Sequence, residues 1–169
     1  SLRSQHLYNI TTEAQKNLRY VRNMNKKAQN VLNQVDDSNI IDIDLADNKG
    51  QQRSLRALKG KVVLLDFHLF AGKDSPARIM WLREIYNKYH DRGLEIFQVS
   101  LDKDKHFWQT QTDALPWISV NDPAGPESRY TLLYNVTTIP TVFLISKKNE
   151  LMKRDAQIED LDAEIKALL

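Results

Sequence analysis

The chain has 169 residues, of which 41% are hydrophobic and 27% charged, and its formal net charge is +2. These values are typical of a globular protein with one domain of ordinary size, and they lack the basic excess of a nucleic-acid binder. No apolar run in the sequence reaches the ~18 residues of a membrane-spanning helix. The chain also contains no cysteine, which excludes disulfide bonds, a thiolate nucleophile, zinc–thiolate sites and iron–sulfur clusters within it. We therefore expect neither nucleic-acid binding nor membrane insertion by this chain.

The N-terminal segment differs in composition from the rest of the chain. Residues 1–35 contain no glycine or proline, and small or apolar side chains recur at the heptad positions Leu7, Ala14, Val21, Ala28 and Val35. This spacing predicts a long helix with a narrow apolar stripe. We interpret residues 1–36 as a linker or packing helix from a longer protein, and residues 37–169 as the folded domain. A homo-oligomer formed through this helix is the alternative.

The folded domain shows strand and helix patterns in alternation. Residues 41–45 alternate apolar and acidic side chains before a turn, which predicts a β-hairpin, and residues 62–67 are apolar at almost every position, which predicts a central strand. An amphipathic helix follows, from the turn to about His90, and Gly93 closes it. The later elements are a strand at 94–102, short helices at 103–114 and 128–136, strands at 116–120, 141–146 and 151–155, and a helix at 158–169. This order predicts an α/β fold with a largely parallel sheet that ends in an antiparallel pair.

Three blocks in this order match a known family. They read LKGKVVLLDF, PARIMWLREIYNKYHDRGLEIFQVSLD and YNVTTIPTVFLI. From about residue 40 onward the chain resembles the thioredoxin-like superfamily, specifically its periplasmic or membrane-anchored thiol–disulfide oxidoreductases, a group that merges into the peroxiredoxin-like proteins. The resemblance implies a thioredoxin-like mixed sheet flanked by helices, here extended by the β-hairpin and the long N-terminal helix. It also implies a location in the periplasm or cell envelope.

The match fails where the family carries its redox chemistry. In that family a Cys-x-x-Cys pair stands at the start of the helix, where the helix dipole favours a thiolate. Alignment on Pro76 places the two cysteine positions at Asp74 and Ala77, neither of which can exchange disulfides. The resemblance further identifies Pro140 with the family's cis-proline, which presents backbone to a bound peptide. We therefore expect a cis peptide bond between Ile139 and Pro140.

The turn before the helix invites a second interpretation, in which Ser75 acts as a hydrolytic nucleophile. Such a serine needs a base within hydrogen-bonding distance, and the candidates are the dispersed residues His68, His90 and His106. No spacing among them is diagnostic, so we favour a structural role in which Ser75 is the N-cap, Pro76 is N1 and Asp74 supplies negative charge near the helix dipole. For His68 a buried, packed position is favoured over contact with a peptide.

Other candidate site residues receive structural interpretations. The histidines have no metal-binding spacing, so we expect no metal site and no cofactor. Asp102 and Asp104 follow a strand and are interpreted as a solvated turn and a helix cap rather than a calcium loop. Three tryptophans are predicted to pack in the core: Trp81, Trp108 and Trp117.

Two functional hypotheses of different class result, and a third is structural. The first is a redox-inactive thioredoxin-fold module that binds an extended peptide or partner protein in the cell envelope. Its predicted binding residues are His68, Asp74, Ser75, Ile139, Pro140 and Thr141. The second is an enzyme, either an oxidoreductase whose cysteines come from a partner or another domain, or a hydrolase acting through Ser75. In the third, the N-terminal helix assembles the protein and the domain is a spacer.

Overall fold

A computed structural model describes residues 40–169, so the helix predicted for residues 1–36 lies outside the described residues. The strands are β1 Asp44–Ala46, β2 Gln52–Ser54, β3 Val62–His68, β4 Leu94–Ser100, β5 Ile118–Asn121, β6 Thr141–Ile145 and β7 Leu151–Arg154. The helices are α1 Ser75–Tyr89, α2 Lys105–Thr112, α3 Arg129–Leu133 and α4 Leu161–Leu168. Short 3-10 turns occur at Arg56–Leu58, His90–Arg92, Gly125–Glu127 and Asp155–Gln157. The predicted α/β architecture is confirmed.

The main sheet has five strands in the order β5–β4–β3–β6–β7. Strands β3, β4 and β5 are parallel, whereas β6 is antiparallel to β3 and β7 is antiparallel to β6. Strands β1 and β2 form a separate antiparallel hairpin, with Leu45 opposite Arg53. The sheet is therefore mixed, and the carboxyl ends of its three parallel strands lie at the same edge.

Both faces of the sheet are covered, which explains the continuous apolar runs in its central strands. Every residue of β3 and β4 is buried. One core cluster packs the hairpin and α3 against Phe67 and Phe143, and the other packs α1 and α4 against Leu64 and Ile96. Helix α1 is followed by a 3-10 turn that ends at Gly93, whose φ of 110° is a left-handed conformation. The predicted closure at Gly93 is confirmed.

The tryptophans pack as predicted. Trp108 and Trp117 are buried, and Trp81 is half-buried, with the Arg78 guanidinium 5.2 Å from its ring centroid. Among residues 40–169, no helix is both long enough and apolar enough to cross a bilayer.

Candidate functional site

The turn between β3 and α1 is held in place by a carboxylate from the neighbouring strand's end. Asp102 accepts hydrogen bonds from the Phe70 and Ala71 backbone amides at 2.8 Å and 3.0 Å, and from the Ser100 hydroxyl at 2.7 Å. Asp102 is only 3% exposed, so its predicted place in a solvated turn is wrong. Asp104 does cap α2, because its side chain accepts from the Phe107 amide at 3.0 Å. The buried Asp102 thus fixes the loop that carries the candidate site.

The start of α1 differs from the predicted cap. The N-cap residue is Asp74, which makes no side-chain cap hydrogen bond, and the helix begins at Ser75 with Pro76 in its first turn. The predicted capping role of Ser75 is therefore wrong. Asp74 and Ala77, which the family resemblance aligns with the two cysteines, are both exposed.

The Ser75 hydroxyl instead contacts a buried imidazole. Ser75 Oγ lies 2.6 Å from His68 Nε2, and the two residues are 6% and 1% exposed. His68 also packs edge-on against Phe70, with ring centroids 4.4 Å apart. The burial predicted for His68 is correct, and the structure adds a hydrogen-bond partner that the spacing in the sequence did not indicate.

Behind the imidazole lies a buried carboxylate that the sequence analysis did not single out. Asp66 is fully buried in β3, and its Oδ1 accepts from Arg78 Nε at 3.3 Å and Nη2 at 3.0 Å. Its Oδ2 accepts from Gln98 Nε2 at 3.0 Å and lies 3.5 Å from His68 Nδ1. The sequence did contain a signal, because Asp66 is the one charged residue in the run 62–67.

These contacts decide the charge of Asp66. Burial by itself raises the pKa of this carboxyl, but the contact with His68, the positive charge of Arg78 and the hydrogen bond from Gln98 lower it below the usual value. Gln98 is in turn oriented by Trp117, whose indole Nε1 donates to Gln98 Oε1 at 3.0 Å. The site therefore contains a buried carboxylate anion next to His68.

A cavity opens beside these residues. The Ile139–Pro140 peptide bond is cis, as predicted. A cavity of about 210 Å³ lies against it, and its lining residues are His68, Leu69, Gly72, Lys73, Asp74, Ser75, Arg78, Ile139 and Pro140. Five of the six predicted binding residues line this cavity. The sixth, Thr141, is buried at the start of β6, where its hydroxyl donates to the Thr138 carbonyl at 2.6 Å.

The cavity combines an apolar wall with polar groups. Leu69, Ile139 and Pro140 form the apolar part, and two exposed residues of opposite charge, Lys73 and Asp74, line the cavity as well. Leu69 also lines a second, wider cavity of about 460 Å³ together with Phe107 and Pro126. Within residues 40–169, no three histidine or acidic side chains lie close enough together to hold a metal ion.

Solved structures resemble this fold closely. A thioredoxin-like protein from Bacteroides vulgatus is similar with a TM-score of 0.73 and 54% identity, covering 76% of this chain and 85% of that chain. A thiol-disulfide oxidoreductase from Bacteroides fragilis NCTC 9343 is similar with a TM-score of 0.69 and 28% identity, covering 76% of this chain and 98% of that chain.

Curated sequences are more distant. Thiol-disulfide oxidoreductase ResA of Bacillus anthracis is 29% identical over 117 residues, which are 65% of this chain and 63% of ResA. Human nucleoredoxin is 28% identical over 121 residues, which are 69% of this chain and 28% of nucleoredoxin. This chain therefore spans less than two thirds of either relative. The profile of the AhpC/TSA family matches residues 37–154. By this match the chain belongs to the AhpC/TSA family, and it has the thioredoxin-like fold of thiol–disulfide oxidoreductases without their cysteines.

Proposed function

We propose that this chain is a redox-inactive thioredoxin-fold module that binds an extended peptide segment of a partner protein beside Pro140. The observation that carries the proposal is an open cavity beside Ile139 and Pro140 in a chain that has no cysteine. The family resemblance, in which this proline presents backbone to a bound peptide, supports a peptide site here without the reactive sulfur. We also propose that the module lies in the cell envelope, which the family resemblance supports.

The backbone beside the cavity supports strand-like pairing. Within residues 40–169, the peptide N–H and C=O of Ile139 have no hydrogen-bond partner, although β6 begins two residues later, at Thr141. Unpaired main-chain groups next to a strand can pair with an added extended segment, as in β-strand addition. The main-chain hydrogen bonds then supply affinity, and the cavity supplies selectivity for one side chain of the peptide.

The shape of the cavity indicates which side chain fits. A volume of about 210 Å³ lies below the ~300–1,000 Å³ typical of drug-sized ligands, and it matches one apolar side chain rather than a folded surface. Its apolar wall of Leu69, Ile139 and Pro140 would contact that side chain. Lys73 at the rim favours a peptide with an acidic residue near it.

The binding experiment compares two leucine truncations. An unfolded polypeptide with blocked thiols is titrated into the protein, and the affinity is measured by calorimetry. Leu69→Ala removes part of the cavity wall and should weaken binding about five- to tenfold, since burying a leucine side chain contributes ~1.5–3 kcal/mol and Leu69 is already 37% exposed. Leu132→Ala is the matched control, because Leu132 is an exposed leucine on α3 that does not line the cavity. Equal affinities for the two variants would contradict the proposal.

The redox part of the proposal has its own test. The chain should show no turnover in an insulin-reduction assay, because Asp74 and Ala77 occupy the cysteine positions. Reduction of insulin by the purified chain would instead support the alternative of an oxidoreductase.

A further inference from the structure

The contact between Ser75 and His68 carries an inference that goes beyond peptide binding and does not depend on it. The Ser75 hydroxyl caps no helix and lies 2.6 Å from His68 Nε2. On the far side of the ring, His68 Nδ1 lies 3.5 Å from Asp66 Oδ2 and makes no hydrogen bond within residues 40–169. A hydroxyl, an imidazole and a carboxylate thus follow one another in the order that activates serine nucleophiles.

The carboxylate selects the tautomer that this activation needs. Asp66 is ionised and receives hydrogen bonds from Arg78 and Gln98. An unprotonated Nδ1 of His68 would direct its lone pair at this anion, whereas a proton on Nδ1 is attracted to it. In a neutral imidazole this arrangement favours the proton on Nδ1, and in that tautomer Nε2 accepts the hydrogen bond that the Ser75 hydroxyl donates.

The position of Ser75 stabilises negative charge on its oxygen. Ser75 is the first residue of a 15-residue helix, where the helix dipole presents its positive end and the first backbone amides lack intrahelical acceptors. Pro76 has no N–H, so the first amide after Ser75 is that of Ala77. This end of α1 lines the cavity in which charge would develop during acyl transfer, together with the cationic Lys73 and Arg78 and the carboxylate of Asp74.

We propose that Ser75 is a nucleophile that accepts the acyl group of small carboxylic esters, with His68 as its general base. Ser75 Oγ attacks the ester carbonyl carbon while its proton moves to His68 Nε2. The bond from that carbon to the alcohol oxygen breaks, and the alcohol leaves with the proton from Nε2. Water then cleaves the serine ester by the same transfers, which releases the carboxylic acid and restores the hydroxyl. The cavity of about 210 Å³ limits the acyl group to a short chain.

The test uses p-nitrophenyl acetate with the full chain. Release of p-nitrophenolate is followed by absorbance, the acetylated protein is weighed intact, and peptide mapping locates the acetyl group. We expect one acetyl group on Ser75 of the wild-type chain. Acetyl groups found only on lysine side chains, or no acetylation, would overturn the proposal whether or not any variant folds.

Substitutions of the two residues distinguish a catalytic role of Ser75 and His68 from a purely structural one. Ser75→Ala should remove the label, and His68→Gln should slow acetylation by about 100-fold or more, which is the usual contribution of a general base. Ser119→Ala is the control, because the buried Ser119 hydroxyl has no hydrogen-bond partner among residues 40–169. This variant should be acetylated on Ser75 at the wild-type rate.

In the ¹⁵N NMR spectrum of the wild-type chain, His68 should carry its proton on Nδ1. A proton on Nε2 alone, or an unchanged rate in His68→Gln, would refute the mechanism. Acetylation of Ser75 and peptide affinity are separate readouts, and the affinity is tested by comparing Leu69→Ala with Leu132→Ala. Absence of acetylation therefore leaves the proposed function standing.

Discussion

Replacing Arg78 with methionine removes one of the interactions that keep Asp66 ionised inside the protein, beside those with His68 and Gln98. Arg78 is the cationic partner of a carboxylate with no exposed surface, and its guanidinium makes two hydrogen bonds to Oδ1 at 3.0 Å and 3.3 Å. Methionine keeps an unbranched apolar side chain at this position. The variant therefore removes the charge, its hydrogen bonds to Asp66 and the contact of the guanidinium with the Trp81 ring.

The size of the stability loss depends on the hydrogen-bond partners that Asp66 retains in the variant. Removing one partner of a buried ion pair costs ~3–5 kcal/mol, but Asp66 retains the amide of Gln98 at 3.0 Å, and it can escape part of the cost by taking up a proton. We therefore expect Arg78→Met to lower the free energy of unfolding by about 2–4 kcal/mol near neutral pH. Arg83→Met, an exposed arginine on the same helix, is the matched control and should change stability by less than ~0.5 kcal/mol.

The pH dependence of the unfolding free energy provides a second test of the same interaction. Because the pKa of Asp66 is lowered in the folded state, its stabilising contribution is present above the unfolded pKa and is lost as pH falls through the folded pKa. Without Arg78 the pKa of Asp66 in the folded state rises, so Asp66 loses its stabilising contribution at a higher pH. The difference in unfolding free energy between wild type and Arg78→Met should therefore become smaller at acidic pH. Urea unfolding at several pH values measures both effects. Equal stability of the two methionine variants at neutral pH would refute the account of Asp66.

Two further predictions concern the scaffold of the site. Asp104→Ala should lower the free energy of unfolding by about 1 kcal/mol, because the Asp104 carboxylate caps α2 through the Phe107 amide. The control is Asp113→Ala, which changes an exposed aspartate just after α2 and should leave the urea unfolding curve unchanged. Equal losses of stability in the two variants would argue against the cap. Phe67→Ala should cost ~3–5 kcal/mol, because the ring is fully buried between Tyr134 and Phe143; a loss below ~1 kcal/mol would show that this core collapses around the deletion.

Much of the fold could be predicted because its signals are local. Strands β3 and β4 are covered on both faces, so their sequences are apolar at nearly every position. Gly93 ends the first crossover because its left-handed φ favours glycine. The cis bond at Pro140 followed from the family resemblance rather than from any local pattern.

The candidate site was harder to predict because its contacts join separate elements. His68 and Ser75 are seven residues apart along a loop, and their approach depends on Asp102, which binds that loop from the end of β4. Asp66 belongs to an apolar run, and its partners Arg78 and Gln98 come from α1 and β4. Ser-Pro is typical of a helix start and therefore predicts Ser75 as the cap. The helix begins one residue earlier than predicted, and the Ser75 hydroxyl contacts His68 instead.

The central claim is that the cavity beside Pro140 binds an extended peptide, and an amide chemical-shift titration tests it most directly. The ¹⁵N-labelled chain is titrated with an unfolded polypeptide whose thiols are blocked, and the shifts are mapped on residues 40–169. We predict that the largest changes occur at Ile139, Thr141 and residues 68–75, with little change in α4, none of whose residues lines the cavity. Unmoved signals around the cavity at saturating peptide, or shifts confined to another surface, would contradict the claim.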